Sequence, residues 1–287
     1  MYLEYASDGH FEVATGILDI SDEILQFNTH MYIGDTTDGG ASNWIPNVNG
    51  RKLERWYGAP HESAELAEGW KLESDKREEQ KATSSADKSA TAEKDKDKEL
   101  LHAHCHCGGV EFFIQRPNQS SLEAESPFPD LLVPYHSGSS DNPQNEPWWL
   151  RSNNTRYLAG TCACNSCRQS AGFEFVQWTF VPTANIQLAN GKPFSREFGT
   201  LKAYQSSDSV TRRFCSQCGA TAFWNSDCRP TLIDIAVGLL DAPSGARAEE
   251  WLKWETGRVS FREFAHNKGL IYGLEYGLRA WDQGKDN

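Results

Sequence analysis

Val110, Phe112 and Ile114 alternate with Glu111, Phe113 and Gln115, the two-residue period of a strand with one buried face. The same reading predicts strands at residues 173–181, 201–204 and 221–224. Residues 231–237, Thr-Leu-Ile-Asp-Ile-Ala-Val, form the most β-prone stretch of the chain. Residues 11–19 read as a strand running into a turn, and residues 35–40 as a loop by composition. Helical periodicity is scarce. The pattern predicts a mainly β protein, with a β-rich domain over residues 101–287.

Three segments depart from that pattern. Residues 1–70 read as compact but contain no cysteine. Residues 71–99 are Lys, Glu, Asp, Ser, Thr and Ala with one large aliphatic, Leu72. Such a segment buries too little apolar surface to offset its ordering entropy, so a disordered, mixed-charge linker is expected. Residues 117–156, with Pro127, Pro129, Pro134, Pro143 and Pro147, read as a long irregular insertion, re-anchored to the core by Trp148, Trp149 and Leu150. There is also an internal echo. Residues 12–19, Glu-Val-Ala-Thr-Gly-Ile-Leu-Asp, align without gaps on residues 234–241, Asp-Ile-Ala-Val-Gly-Leu-Leu-Asp. The N-terminal part therefore reads as a partial second copy of the main domain, without its metal ligands.

Composition narrows the function. The net charge is -12 and the pI about 5.2, which does not suit binding to nucleic acid or anionic membranes. No apolar run approaches the roughly 20 residues of a membrane span. The first residues lack the basic start and apolar core of a signal peptide. A soluble, intracellular, cytoplasmic protein is expected. In a reducing compartment, clustered cysteines point to metal ligation or reactive thiols rather than disulfides.

Seven of the eight cysteines fall in three clusters: Cys105 and Cys107; Cys162, Cys164 and Cys167; Cys215 and Cys218. Thiolate sulfur suits zinc. The outer pairs together make a complete tetrahedral site, a structural staple across the chain. The middle three leave one corner open, as catalytic zinc sites do. His136, His266 or Cys228 could close that corner, making a second structural site, and iron–sulfur ligation is a further reading. His102, His104 and His106 crowd the first pair, where ordinary surface or packing roles compete with ligation or proton transfer. Arg168 either grips a substrate carboxylate or neutralises the thiolates. Cys228 reads as a buried or idle thiol, and most of the ten tryptophans as packing between core and copy.

The order Cys-x-Cys-Gly-Gly, Cys-x-Cys-x-x-Cys-Arg-x-x-x-Gly, Arg-x-Phe-Cys-x-x-Cys-Gly resembles the glutathione-dependent formaldehyde-activating enzyme family, which includes the centromere protein V type domains. The matching residues are Cys105 to Gly109, Cys162 to Arg168 with Gly172, and Arg213 to Gly219, with Trp178 and the stretch Tyr204 to Ser207. The resemblance covers about residues 101–265, and the wording is similar to fungal members with tandem copies. It implies a zinc-bridged β-tent fold and two Zn2+ ions, one structural on Cys105, Cys107, Cys215 and Cys218, one catalytic on Cys162, Cys164 and Cys167. It implies a carbon–sulfur lyase acting on the adduct of glutathione and formaldehyde. The long gap from Cys107 to Cys162 departs from compact members, and so does the cysteine-free first copy. The rival expectation is a non-enzymatic zinc module for protein interaction, with both metals structural.

Overall fold

The computed structural model describes residues 3–5, 11–20, 24–72 and 99–285. The segment expected as a linker lies outside them over residues 73–98. Its one large aliphatic, Leu72, is described: it is buried and donates its N–H to the Thr37 carbonyl at 2.8 Å.

The described strands are β1 (Leu3–Tyr5), β2 (Phe11–Val13), β3 (Thr29–His30), β4 (Asn47–Val48), β5 (Arg51–Lys52), β6 (Glu54–Arg55), β7 (Leu100–His104), β8 (Glu111–Gln115), β9 (Leu150–Arg151), β10 (Arg156–Cys162), β11 (Val176–Pro182), β12 (Ile186–Leu188), β13 (Leu201–Ser207), β14 (Val210–Cys215), β15 (Thr221–Ser226), β16 (Leu232–Ala236) and β17 (Leu252–Trp254). The protein is mainly β. One eight-stranded sheet runs β13-β14-β15-β16-β11-β10-β17, with β9 also on β10. Its pairings are antiparallel except β10 with β17. A three-stranded antiparallel sheet, β12-β8-β7, lies against it. Phe112 of β8 meets Phe223 of β15 at 5.2 Å between ring centroids, and Phe194 and Phe198 complete the aromatic layer.

Strand patterning accounts for this layering. In β8 the predicted inward residues Phe112 and Ile114 are buried. In β16 every position is buried, so the strand is apolar throughout except for Asp234. The insertion is irregular, with short 3-10 turns at Gln119–Leu122 and Tyr135–Ser137. Trp148 and Trp149 are buried, and each ring N–H bonds back into the insertion, to Pro127 O at 3.0 Å and Ser121 O at 2.9 Å.

Helix is scarce among the described residues, as expected; the one long helix is C-terminal, Lys268–Gln283. Leu270, Leu274 and Leu278 recur every four residues and are buried. Gly269, Gly273 and Gly277 recur at the same spacing, and an ideal Cβ at Gly277 would stand 1.9 Å from the Trp44 carbonyl oxygen. Three glycines disfavour a helix by roughly 1 kcal/mol each relative to alanine. They are retained where the Trp44 and Asn47 carbonyls and the Asn49 side chain lie directly on the helix.

Residues 24–72 accordingly have no separate core. Trp44, Ile45, Val48 and Leu53 join the same buried cluster as the sheets. Trp44 packs edge-on against Trp254 and Trp281 at 4.6 and 5.3 Å. Asp38, in the predicted loop, is buried and accepts from the Arg247 N–H at 2.8 Å. Burial of each such apolar side chain stabilises the fold by about 1.5–3 kcal/mol. The two echoing segments share a local shape. Each runs from a strand through an extended alanine, Ala14 (φ -60, ψ 118) or Ala236 (φ -64, ψ 121), into one 3-10 turn, Thr15–Ile17 or Val237–Leu239.

Candidate metal centre and adjoining cavity

Two hairpin knuckles bring the outer cysteines together. Cys105 follows β7, and its N–H bonds Val110 O at 2.9 Å; Cys215 ends β14, and its N–H bonds Ala220 O at 2.9 Å. Gly108 (φ 72) and Gly219 (φ 76) supply the left-handed turns that let each chain reverse. The sulfurs of Cys105, Cys107, Cys215 and Cys218 lie within 4.8 Å of one another. The Val110 N–H points at the Cys105 sulfur, and the Gln217 and Cys218 N–H groups at that of Cys215, at 3.3, 3.4 and 3.5 Å. This cluster joins the β7–β8 turn of one sheet to the β14–β15 turn of the other.

The middle cluster is built locally. Cys162 ends β10, Cys164 caps the helix Asn165–Ala171, and Cys167 stands in its first turn. The Cys164 sulfur accepts the Cys167 N–H at 3.4 Å, and Gly172 (φ 77) ends the helix. The three sulfurs lie within 4.8 Å of one another. Among the described residues no histidine, carboxylate or further cysteine adds a ligand atom to them. His266 is engaged elsewhere, with Nε2 2.8 Å from Ile20 O. His136 is exposed, 3.8 Å from Glu263. Neighbouring thiols of Cys162 and Cys167 hold the Cys164 thiol far below its ordinary range, helped by the Cys167 N–H and Arg212. Hydrogen bonding to Cys164 and Cys167, with burial, drives Cys162 up. Three crowded sulfurs of which at least one is readily ionised suit a thiolate-binding cation.

A cavity of about 250 Å³ opens on this cluster. Its wall includes Pro127 to Leu131 of the insertion, Trp178, Trp224, Arg212, Arg229 and Asp234. The insertion thus shapes the cavity. Its Asp130 accepts from the Tyr135 N–H (2.6 Å), Ser260 hydroxyl (3.2 Å) and Arg258 (3.1 Å), and from the Phe261 N–H. A larger cleft of about 760 Å³, lined by Gln169, Ser170, Tyr204 and Arg213, lies beside the same helix and shares Arg212.

Sequence reasoning misplaced the arginines. Arg168 does not line the cavity: its guanidinium bonds Leu18 O at 2.7 Å and Asn165 Oδ1 at 2.8 Å. It fastens the N-terminal segment to the helix, and neither role expected for it is seen. Arg213 bonds Arg196 O at 2.9 Å, on the other face of β14. Arg212 is the one directed inward, with NH1 and NH2 each 3.6 Å from the Cys167 sulfur. In the pattern Arg-x-Phe-Cys the first position is Arg212; strand alternation from buried Cys215 would have pointed to Arg213 instead, because a bulge between Arg213 and Phe214 shifts the register. The Arg212 Nε and the Thr161 hydroxyl are buried on the cavity side without a hydrogen-bond partner.

Asp234 was read only as part of a β-prone run. Burial pushes its carboxyl up to about 6, against the pull of Arg229, which donates to it at 2.6 Å, and of Arg212. Arg229 lies over the Trp224 ring at 4.5 Å. Cys228 is exposed, contrary to a buried thiol, and stands at the cavity wall.

Residues 150–255, a little over a third of the chain, match the sequence profile of the glutathione-dependent formaldehyde-activating enzyme family. The span includes the middle cluster, Cys215 and Cys218, with Arg212 and Asp234; Cys105 and Cys107 lie before it. No curated protein matches the chain. Among solved structures, a Rhodobacter sphaeroides protein matches at 16% identity, over 53% of this chain and 98% of that one, with a TM-score of 0.30. No helix among the described residues is long and apolar enough to cross a membrane.

Proposed function

We propose that the chain is a zinc-dependent carbon–sulfur lyase acting on adducts of glutathione, or a similar thiol, with small aldehydes. The observation that carries this reading is that, among the described residues, no fourth protein donor joins Cys162, Cys164 and Cys167, in a cluster that faces a cavity. In this reading Cys105, Cys107, Cys215 and Cys218 hold a structural zinc that bridges the two sheets of a β-tent. Cys162, Cys164 and Cys167 hold the second ion. A zinc ion there would supply Lewis acidity and favour the thiolate form of a substrate thiol.

The chain's own residues do the rest. Arg212 balances part of the negative charge of three thiolates and orients Cys167. Its free Nε and the Thr161 hydroxyl offer hydrogen bonds to a substrate oxygen, where charge develops as a C–S bond forms or breaks. In the synthetic direction sulfur loses a proton, carbon gains sulfur, and the opened carbonyl oxygen gains a proton. Asp234, whose carboxyl sits near 6, carries that proton in our reading. Trp178, Trp224 and the insertion exclude water. The small cavity admits the reacting end, and the cleft past Arg212 takes the polar body of the thiol.

The N-terminal segment enters the proposal as a reduced tandem copy; the shared shape around Ala14 and Ala236 supports it. Cobalt substitution tests the central claim. Added glutathione should shift the absorption of one cobalt ion of two, and formaldehyde should then be consumed. If both ions keep saturated protein coordination and glutathione changes nothing, the chain is a binding module and not a lyase.

A further inference from the structure

β7 carries two histidines on the face turned away from the core. Leu101 and Ala103 are buried, while His102 and His104 alternate with them, half-buried. The segment leaving the 3-10 turn Val237–Leu239 runs alongside: Leu240 bridges to Ala103, and the Asp241 N–H bonds His102 O at 2.9 Å. That pairing brings the Asp241 carboxylate to the two rings. Ligand atoms of His102, His104 and Asp241 all lie within 4.8 Å of one another.

We propose that His102, His104 and Asp241 form a third metal site, which takes a divalent cation of the zinc type through two imidazole nitrogens and a carboxylate oxygen. It shares no ligand with the two cysteine clusters and does not depend on the proposed lyase activity.

The tautomers support it. His102 Nε2 stands 2.9 Å from Glu111 Oε1, and His104 Nδ1 stands 3.1 Å from Cys105 O. A carboxylate and a carbonyl only accept, so each of those ring nitrogens carries the hydrogen. In the neutral rings, His102 Nδ1 and His104 Nε2 are left as lone-pair donors. A histidine held by a carboxylate or carbonyl through its far nitrogen is the arrangement found around metal-ligating imidazoles. His102 Nδ1 already stands 3.7 Å from Asp241 Oδ2. Donors about 2.0–2.2 Å from a tetrahedral zinc lie roughly 3.4 Å apart, so His102 and Asp241 are already close to the spacing that a shared ion needs. His102 is further fixed between rings, stacked on Phe113 at 5.0 Å and on His104 at 4.8 Å. Two imidazoles and one carboxylate leave a corner for water, and the donor set favours zinc over calcium or magnesium.

The same contacts would also form if His102 only bridged Glu111 and Asp241 with no ion bound. Equilibrium dialysis of the tag-free, zinc-loaded full chain against Zn2+ separates the two. We expect a third zinc ion per chain, bound more weakly than the first two. Asp241→Asn and Glu111→Gln, both at exposed carboxylates, should each weaken it about 10-fold or more. His102→Ala with His104→Ala should abolish it while two ions stay bound, which also reports an intact fold. The proposal is overturned if the wild type takes up only two ions, or if the third binds Asp241→Asn and the double histidine variant as tightly as wild type.

Discussion

The two cysteine clusters differ in a way that exposure alone would misread. The four-sulfur cluster reaches the surface: Cys107 is exposed and Cys218 half-buried. Its Cys105 and Cys215 are buried, as are Cys162 and Cys167, but the three-sulfur cluster is deeper in that none of its cysteines is exposed. It is the deeper one that faces a cavity. A site is made available to other molecules by what stands at its last corner, not by its distance from solvent. Knuckle backbone surrounds the first cluster. Arg212, Asp234 and two tryptophans surround the space beside the second.

The largest predicted effect would break that contrast. Cys215→Ser should cost the fold, giving insoluble chain or a lost thermal transition. Zinc contributes about 10–16 kcal/mol to small zinc-folded peptides, against roughly 5–15 kcal/mol for a whole domain. Cys164→Ser should instead leave a cooperative transition by calorimetry while abolishing formaldehyde turnover with glutathione. Equal loss of folding in both variants would erase the distinction.

Next in size is Arg212→Met, expected to lower kcat/KM about 10²–10³-fold, with Arg212→Lys recovering part of it. Asp234→Asn should slow turnover roughly 10²-fold or more and reshape its pH profile. A base must be ionised, so wild-type synthesis should fall as pH drops through about 6, where burial holds Asp234. The variant should lack that limb. A limb that survives in Asp234→Asn assigns the proton to another group.

Smaller effects probe the contact between the three-sulfur cluster and the N-terminal segment. The Gly16 N–H bonds Gly172 O at 2.9 Å, at the end of the helix that carries Cys167. A Cβ at Gly16 would stand 2.4 Å from the Phe173 nitrogen, backbone that has no room to yield. Gly16→Ala should cost about 1–3 kcal/mol, read as a lower Tm, and should depress turnover more than any change at Cys215's knuckle that leaves the fold intact. The smallest effect tests the tandem-copy reading. Thr15→Val with Ile17→Leu writes the downstream echo into the first copy. The Thr15 hydroxyl is buried without a hydrogen-bond partner, so replacing it with a methyl should raise stability by about 1 kcal/mol rather than lower it. A large loss would mean that the two segments are not interchangeable.

What could be read beforehand follows from how far each signal travels along the chain. Cysteine spacing is local, so the grouping of Cys162, Cys164 and Cys167 was legible, but the strand end, cap and first helical turn that carry them were not. The approach of Cys105 and Cys107 to Cys215 and Cys218 was legible only by counting donors. β8 and β16 were visible because one shows alternation and the other a branched apolar run. β10, buried on both faces and broken by Gly160, shows neither. Arg212 and Asp234 were hidden because a charge inside a strand reads as a solvent-facing position until its partner is known. The C-terminal helix was masked by the glycines that let it touch residues 44–49. No local rule distinguishes a glycine kept for contact from one that breaks a helix.

That glycine-lined contact also sets an order of events. Residues 44–49 are made early, yet the surface they rest on is the helix Lys268–Gln283. At about 5–20 residues per second, synthesis separates the two by roughly 10–40 s. During that interval Trp44 has neither Trp254 nor Trp281 to cover it. The nascent chain must carry an uncovered indole past most of its own sheet, and chaperone demand should be greatest over that interval.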